Sequence, residues 1–155
     1  MEIAAGVVCK ILLPITISSF YGKGKTLAVC TLSSLNLLQA ISKDDIMNKI
    51  VIAGRLYSEN KGLDDLILYC TNYNTLKYLV VCGQDTRGHY SGDALVKLML
   101  HGIDSQGHII NTKAARPYLT LKAEVVEKFR KKIKLIDMRG VCKLEEIKLK
   151  INNLA

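Results

Sequence analysis

The chain has 155 residues, of which 49% are hydrophobic and 23% are charged. This length and composition exclude a disordered chain and predict a single globular domain over residues 1–155. Lysine and arginine outnumber aspartate and glutamate by 22 to 14, which gives a formal net charge of +8. Aromatic residues are few and do not interleave with the basic ones, so we predict no nucleic-acid partner.

The first 20 residues, MEIAAGVVCKILLPITISSF, form an apolar stretch that is interrupted by Lys10 and Pro14. A transmembrane helix needs about 20 consecutive apolar residues, and a secretory signal needs a basic leader. Neither pattern is present, so we expect a core strand or an arm that packs on the domain. The remaining segments predict no membrane span, and a cytoplasmic location follows.

Five scattered cysteines indicate the same compartment. Their number is odd, and no Cys-x-x-Cys pair is present. Such a pattern favours reduced, buried thiols over a disulfide framework or a thiolate metal site. The predicted thiols are Cys9, Cys30, Cys70, Cys82 and Cys142.

Short apolar runs then alternate with helical patterns. Residues 26–32 (TLAVCTL), 50–54 (IVIAG) and 77–83 (KYLVVCG) predict buried strands. Continuous apolar runs, unlike alternating ones, are typical of strands that are covered on both faces. Residues 34–49 are ambiguous and are assigned to one helix. Residues 63–70 carry apolar side chains at i, i+3, i+4 and i+7, which predicts a second helix.

The second half of the chain continues this alternation. Residues 91–102 (SGDALVKLMLHG) predict a helix that begins near a capping serine and ends at a glycine. Residues 121–133 place an apolar side chain at every fourth position, and residues 144–154 form a similar stripe. Between these two helices, residues 134–138 (KLIDM) predict the last strand.

Strands separated by helices predict an α/β fold with a mostly parallel sheet and helices on both faces. Ligands of such sheets bind beyond the carboxyl ends of the strands. The loops expected at that edge are residues 31–34, 54–62, 83–92 and 113–118.

Sequence motifs alone do not identify the ligand. No Gly-x-Gly-x-x-Gly follows a strand, and the phosphate-binding loop motif is absent. Residues 21–26 (YGKGKT) imitate the end of that motif but precede the strand that they should follow. A zinc site shared by His89, His101 and His108 is disfavoured, since helix rise alone separates the first two by about 15 Å.

His89 is the strongest candidate because it lies in the loop GQDTRGHYSG, directly after a buried strand. The glycines at 83, 88 and 92 are expected to leave its approach open. Three interpretations are compatible with the residues. His89 is a polar side chain bonded to backbone, a general base, or an axial ligand of a metal-bearing cofactor.

The sequence YLVVCGQDTRGHYSGDAL at residues 78–95 resembles the A subunit of tetrahydromethanopterin S-methyltransferase, which is the corrinoid-carrying subunit of the methanogen enzyme. It has the family's order of apolar strand, Cys-Gly, short linker, Gly-His, Ser/Thr-Gly and helix. Residues 100–119 (LHGIDSQGHIINTKAARPYL) resemble the family's His-x-Gly-Val/Ile-Asp turn and its Ala-x-Pro-Tyr/Phe segment. The resemblance spans residues 26–147, with upstream matches at Thr31, Leu32, Gly54, Glu59, Asn60 and Gly62.

The resemblance implies a Rossmann-like domain that binds a cobamide, either cobalamin or a 5-hydroxybenzimidazolyl cobamide. The implied reaction moves a methyl group from methyl-tetrahydromethanopterin to cobalt and then to coenzyme M. His89 matches the histidine that serves the family as lower axial ligand to cobalt. The implied partners are other methyltransferase subunits, or a stand-alone methyl donor or acceptor protein. The residues implied to contact the cobamide are Thr31, Leu32, Gly54, Glu59, Asn60, Gly88, His89, Ser91, Ala115 and Pro117.

Three features depart from the family pattern. GRLYSEN at residues 54–60 replaces Gly-Pro-Cys-Lys-Thr-Glu-Asn, and Arg116 replaces an apolar residue. The family's usual C-terminal transmembrane anchor is not recognisable before Ala155. We therefore expect a soluble domain or a soluble homologue that associates with a membrane only through partner subunits.

Two alternatives to the cobamide carrier stay open. One is a flavodoxin-like module that binds a flavin or a nucleotide phosphate. The other is a non-enzymatic interaction protein that uses its basic C-terminal helices, with Lys131, Lys132 and Lys148 as contact residues.

Overall fold

The computed structural model describes residues 19–154, so most of the predicted N-terminal arm, and Cys9 with it, lies outside the described residues. The described chain contains the strands β1 (Ser19–Tyr21), β2 (Leu27–Cys30), β3 (Ile52–Gly54), β4 (Tyr78–Gly83) and β5 (Lys134–Arg139). Its helices are α1 (Leu35–Ser42), a 3₁₀ helix (Asp45–Lys49), α2 (Lys61–Asn72), α3 (Ser91–His101), α4 (Ala123–Lys132) and α5 (Leu144–Leu154). None of these helices combines the length and the apolar character that crossing a bilayer requires.

The strands form one sheet in the order β1-β3-β2-β4-β5. β2 pairs in parallel with both β3 and β4, and β4 pairs in parallel with β5. β1 runs antiparallel along the β3 edge, with Phe20 opposite Ala53. The sequence analysis did not predict β1, because three residues are too few to show a strand period. The mostly parallel sheet that it did predict is confirmed.

Helices cover both faces of this sheet, and β4 shows how the sequence divides the two cores. Leu79 and Val81 belong to the core under α2, α3 and α4, whereas Val80 and Cys82 belong to the core on the other face, beside α1 and α5. The alternation follows from the two-residue period of a strand. The predicted α/β architecture is therefore confirmed and is consistent with a Rossmann-like domain.

Residues 34–49 do not form the single helix that was predicted. α1 ends at Ser42, and a separate 3₁₀ helix follows at Asp45–Lys49. Asp44 between them has extended backbone angles, and its Oδ1 accepts a hydrogen bond from the Ile46 backbone N–H at 2.8 Å. Lys148 Nζ lies 3.1 Å from Asp44 Oδ1 and ties this break to α5. An aspartate that competes for backbone N–H groups therefore divides the helix.

The turn between β1 and β2 contains the YGKGKT sequence, and it precedes β2 as expected. A Cβ atom added to Gly22 would lie 2.1 Å from the Ile50 carbonyl oxygen, and one added to Gly24 would lie 2.3 Å from that of Lys49. Both glycines are therefore explained by the close packing of this turn against the segment that leads into β3.

The thiols of Cys30, Cys70 and Cys82 are buried, as predicted, whereas Cys142 is exposed, so the prediction is wrong for Cys142. Burial raises the pKa of Cys30 and of Cys70 to about 12. Burial also raises the pKa of Cys82. The three buried thiols stay protonated at neutral pH, which makes them packing groups rather than nucleophiles. Cys142 was misjudged because it follows the last strand, in a loop.

Replacing Cys82 with alanine is expected to lower the free energy of unfolding by about 1 kcal/mol, because the change leaves a small cavity in the core. Cys142→Ala is the control, and its exposed site is expected to give a change within about 0.5 kcal/mol. Urea unfolding of both variants provides the comparison. Equal losses at the two positions would contradict the packing role of Cys82.

Candidate functional site

Three loops meet beyond the carboxyl ends of β2, β3 and β4, and main-chain hydrogen bonds join them. The Thr31 N–H donates to the Gly54 carbonyl at 2.8 Å, and the Ser33 N–H donates to that of Gln84 at 3.0 Å. The Leu56 N–H donates to the Leu32 carbonyl at 3.2 Å. The prediction that residues 31–34, 54–62 and 83–92 share one edge is therefore confirmed.

His89 stands on this edge with its ring held from behind. Its Nδ1 lies 3.1 Å from Glu59 Oε2, and the His89 side chain is 60% exposed whereas that of Glu59 is 2% exposed. An ionised carboxylate can only accept hydrogen bonds, so Nδ1 carries the proton and donates it to Glu59. The lone pair of the neutral ring then resides on Nε2, which is left available to a ligand.

The second oxygen of Glu59 binds the fourth predicted loop. Glu59 Oε1 accepts a hydrogen bond from the Arg116 backbone N–H at 2.9 Å. Within residues 19–154 no lysine or arginine side chain forms an ion pair with Glu59. This buried carboxylate is therefore satisfied by one imidazole and one backbone amide, and it joins residues 54–62, 83–92 and 113–118.

Several of the predicted site residues lie beneath this edge rather than on it. Thr31, Leu32 and Ser91 have no exposed surface. The Ser91 hydroxyl donates to the Leu56 carbonyl at 2.9 Å, which fixes the start of α3 to the loop after β3. Their predicted contacts with a cofactor stay predictions, and in this structure they support the loops.

The other predicted residues lie at or near the surface. Gly88 and Ala115 are exposed, whereas Gly54, Asn60 and Pro117 are half-buried. Asn60 Oδ1 accepts a hydrogen bond from the Lys61 N–H at 2.6 Å and caps α2. The surface set therefore surrounds His89 from three loops.

The loop glycines serve two different purposes, which corrects the expectation that all three keep the approach to His89 open. A Cβ added to Gly83 would lie 2.4 Å from the Thr31 carbonyl oxygen, and one added to Gly92 would lie 2.8 Å from Leu32 Cδ1. These two glycines permit close packing. Gly88 has a φ of +84° and open space where a Cβ would be, so it alone opens the surface beside the histidine.

Two bulky residues of the site adopt left-handed backbone angles. Leu32 has a φ of +54° and Tyr90 a φ of +46°. Each such residue costs about 1–2 kcal/mol, and strain of this kind clusters at functional sites. Sequence reasoning missed both, because neither leucine nor tyrosine signals a positive φ.

Asp85 is a supporting residue that the sequence analysis did not identify. Its carboxylate accepts hydrogen bonds from the backbone N–H groups of Thr86, Gly92 and Asp93, at 2.8–2.9 Å. These bonds close the His89 loop against the first turn of α3. The available signal was an aspartate in a loop just before a helix, a position where such side chains bind backbone amides.

Asp93 fixes the fourth loop and was also missed. It accepts hydrogen bonds from Thr112 Oγ1 at 2.7 Å and from the Lys113 N–H at 3.0 Å. Burial by itself would raise the pKa of Asp93, but these two hydrogen bonds and the charges of Lys97 and Lys113 outweigh it, so the pKa lies below its ordinary value. The ionised carboxylate thus anchors the segment that carries Arg116 to Glu59.

Parallel-sheet topology and an exposed imidazole backed by a buried carboxylate define the class: an α/β protein with a ligand site at the carboxyl edge. A family model for the A subunit of tetrahydromethanopterin S-methyltransferase matches residues 20–155. The chain belongs to this family, and the resemblance found in the sequence is confirmed.

Individual relatives carry the same family name. The A subunit of the enzyme from Methanocaldococcus jannaschii is 34% identical over 124 residues, which cover 76% of this chain and 49% of the relative. The A subunit 2 from Methanothermobacter thermautotrophicus is 35% identical over 92 residues, which cover 58% of this chain and 50% of the relative. The chain spans about half the length of the curated relatives that it matches.

Asp93→Asn is expected to lower the free energy of unfolding by about 1–2 kcal/mol at neutral pH, because a buried charged acceptor is lost. The pKa of Asp93 is depressed in the folded state, so its contribution is complete above the ordinary value of 3.8 and is lost as the pH falls below that value. Urea unfolding between pH 7 and pH 3 should show the two proteins converging in acid. A constant difference at every pH would contradict this account, and Asp65→Asn, at an exposed position, is the control.

Proposed function

We propose that this protein is a cobamide carrier in methyl transfer and that His89 ligates the cobalt through Nε2. The observation that carries the proposal is the bond between His89 Nδ1 and the buried Glu59 carboxylate, in a chain of this family. That bond fixes the tautomer and leaves one nitrogen lone pair facing outward. The interpretation of His89 as a polar residue bonded to backbone has no support, since its ring partner is a side chain.

The residues around His89 fit a flat, bulky cofactor. Neutral imidazole is a good ligand for cobalt and related metal ions. Gly88 presents no side chain beside the histidine, and the exposed residue nearest to Arg116 in the fourth loop is the small Ala115. A large ring can therefore approach the backbone of two loops without a steric clash.

The bound cobamide would supply a cobalt ion that accepts a methyl group and releases it to an acceptor. The protein's own residues bind and orient. His89 holds the ion from below, and Glu59 accepts the Nδ1 proton in a hydrogen bond, which makes Nε2 a stronger donor. The Arg116 backbone N–H keeps the Glu59 carboxylate in place. Burial of that carboxylate strengthens both hydrogen bonds, because little water competes for them.

The proposed substrates follow from the family. We propose methyl-tetrahydromethanopterin as the methyl donor and coenzyme M as the final acceptor, with the cofactor as cobalamin or a 5-hydroxybenzimidazolyl cobamide. Other methyltransferase subunits, or a separate methyl donor or acceptor protein, would complete the reaction. The family name on the relatives supports this assignment.

The alternative surface on the C-terminal helices has less support. Lys132 Nζ donates to the carbonyls of Cys70 at 2.7 Å and Tyr73 at 2.6 Å, and so caps the end of α2. Lys148 is paired with Asp44. Two of its three proposed contact lysines therefore have partners inside the domain, and only Lys131 is exposed.

His89→Ala is expected to abolish the visible spectrum of histidine-ligated cobalt when the protein is titrated with hydroxocobalamin, and to weaken binding. The fold should change little, since an exposed loop side chain contributes little packing. His101→Ala and His108→Ala are the controls and should keep the wild-type spectrum. An unchanged spectrum in His89→Ala would overturn the assignment of the ligand.

Glu59→Ala is expected to lower cobamide affinity by about 10–100-fold, because a ligand that loses its hydrogen-bond partner loses orientation and basicity. Glu59→Gln should recover part of the loss, since its amide oxygen can still accept the Nδ1 proton. The spectrum of histidine-ligated cobalt should persist in Glu59→Gln with a shift. If alanine and glutamine gave the same loss, a positioning role for the carboxylate would be wrong.

A further inference from the structure

We infer that a cavity beside the His89 site binds a planar heterocycle joined to a phosphate. The cavity has a volume of about 400 Å³ and lies between α2 and the face of β2 and β3. Small-molecule sites commonly measure about 300–1,000 Å³. Within the proposed function, on which this inference rests, the ligand is the lower base of the cobamide with the phosphate of its nucleotide loop.

The sequence explains why a cavity forms at this place. The sheet contributes the small residues Ala28, Cys30 and Gly54 to the floor, so the helix above does not reach it. α2 contributes Leu66 and Tyr69 to the roof. An apolar floor and an aromatic wall suit a flat, weakly polar ring rather than a charged or extended one.

The mouth of the cavity carries a cation without a partner. Arg55 Nε is buried and has no hydrogen-bond partner among the described residues. The Arg55 guanidinium stacks on the Tyr57 ring, with Cζ 4.4 Å from the ring centroid. It forms no ion pair within residues 19–154, and Asp65, a carboxylate that lines the cavity, is exposed. A buried donor on a fixed guanidinium is satisfied best by a phosphate oxygen.

The position of the mouth connects this cavity to His89. Arg55, Tyr57 and Ser58 line the cavity, and Glu59, the partner of His89, is the next residue in the chain. A cofactor ligated by His89 no longer uses its own lower base as an axial ligand. That base is then free to enter an apolar pocket on the same side of the ring, with its phosphate at Arg55.

Calorimetric titration with cobalamin and with cobinamide, which lacks the nucleotide loop, tests the inference. Wild type should bind cobalamin at least about tenfold more tightly, since one charge-assisted hydrogen bond and a buried ring are involved. Arg55→Gln removes the cation, and Leu66→Trp fills the cavity. Both should bring cobalamin affinity toward that of cobinamide and leave cobinamide affinity unchanged. Lys61→Gln and Leu68→Trp, whose side chains do not line the cavity, are matched controls and should leave both affinities unchanged.

Equal affinities for the two corrinoids in wild type would overturn the assignment to the lower base, and so would equal losses for both in Arg55→Gln. Urea unfolding checks each variant, and Arg55→Gln still decides the question if Leu66→Trp does not fold. FMN and AMP are tested separately. Their binding to wild type and its loss in Arg55→Gln, without a preference for cobalamin, would retain the site but assign it to a free nucleotide. Failure of wild type to bind either corrinoid would instead contradict the proposed function.

Discussion

The site depends on one buried carboxylate that has no cationic side chain to pair with. Glu59 is satisfied by the His89 Nδ1–H and the Arg116 backbone N–H, at 3.1 and 2.9 Å. Removing either donor would leave a buried acceptor short of a partner, which is costly in a dry environment. This constraint aligns the histidine, sets its tautomer and holds two loops that are far apart in sequence.

The rest of the edge can be understood as support for that carboxylate. Asp85 closes the His89 loop onto the first turn of α3, and Asp93 anchors the segment that brings Arg116 to Glu59. Parallel strands place all of these loops at one end of the sheet. Each support is a carboxylate that accepts backbone N–H groups, so side chains position backbone throughout the site. The strained angles at Leu32 and Tyr90 persist because this network fixes the chain on both sides of them.

The fold could be predicted from local pattern, and the site only in part. The runs that became β2, β4 and the long helices carry their own periodicity, whereas β1 is too short to show one and Asp44 divides a helix through a side-chain hydrogen bond. His89 was identifiable as a loop residue between glycines. Its link through Glu59 to Arg116 joins residues 57 positions apart, and no local pattern encodes such a contact. The roles of Gly83 and Gly92 were misjudged for the same reason, since the atoms that crowd them come from other loops.

Electron paramagnetic resonance of the Co(II) cobamide bound to protein labelled with nitrogen-15 only in histidine tests the central claim most directly. Ligation by His89 predicts that the nitrogen coupling changes from the triplets of nitrogen-14 to the doublets of nitrogen-15 when labelled protein replaces unlabelled protein. Triplets that persist in the labelled protein would show that the axial nitrogen comes from the cofactor's own base. A spectrum without nitrogen coupling would likewise contradict ligation by His89.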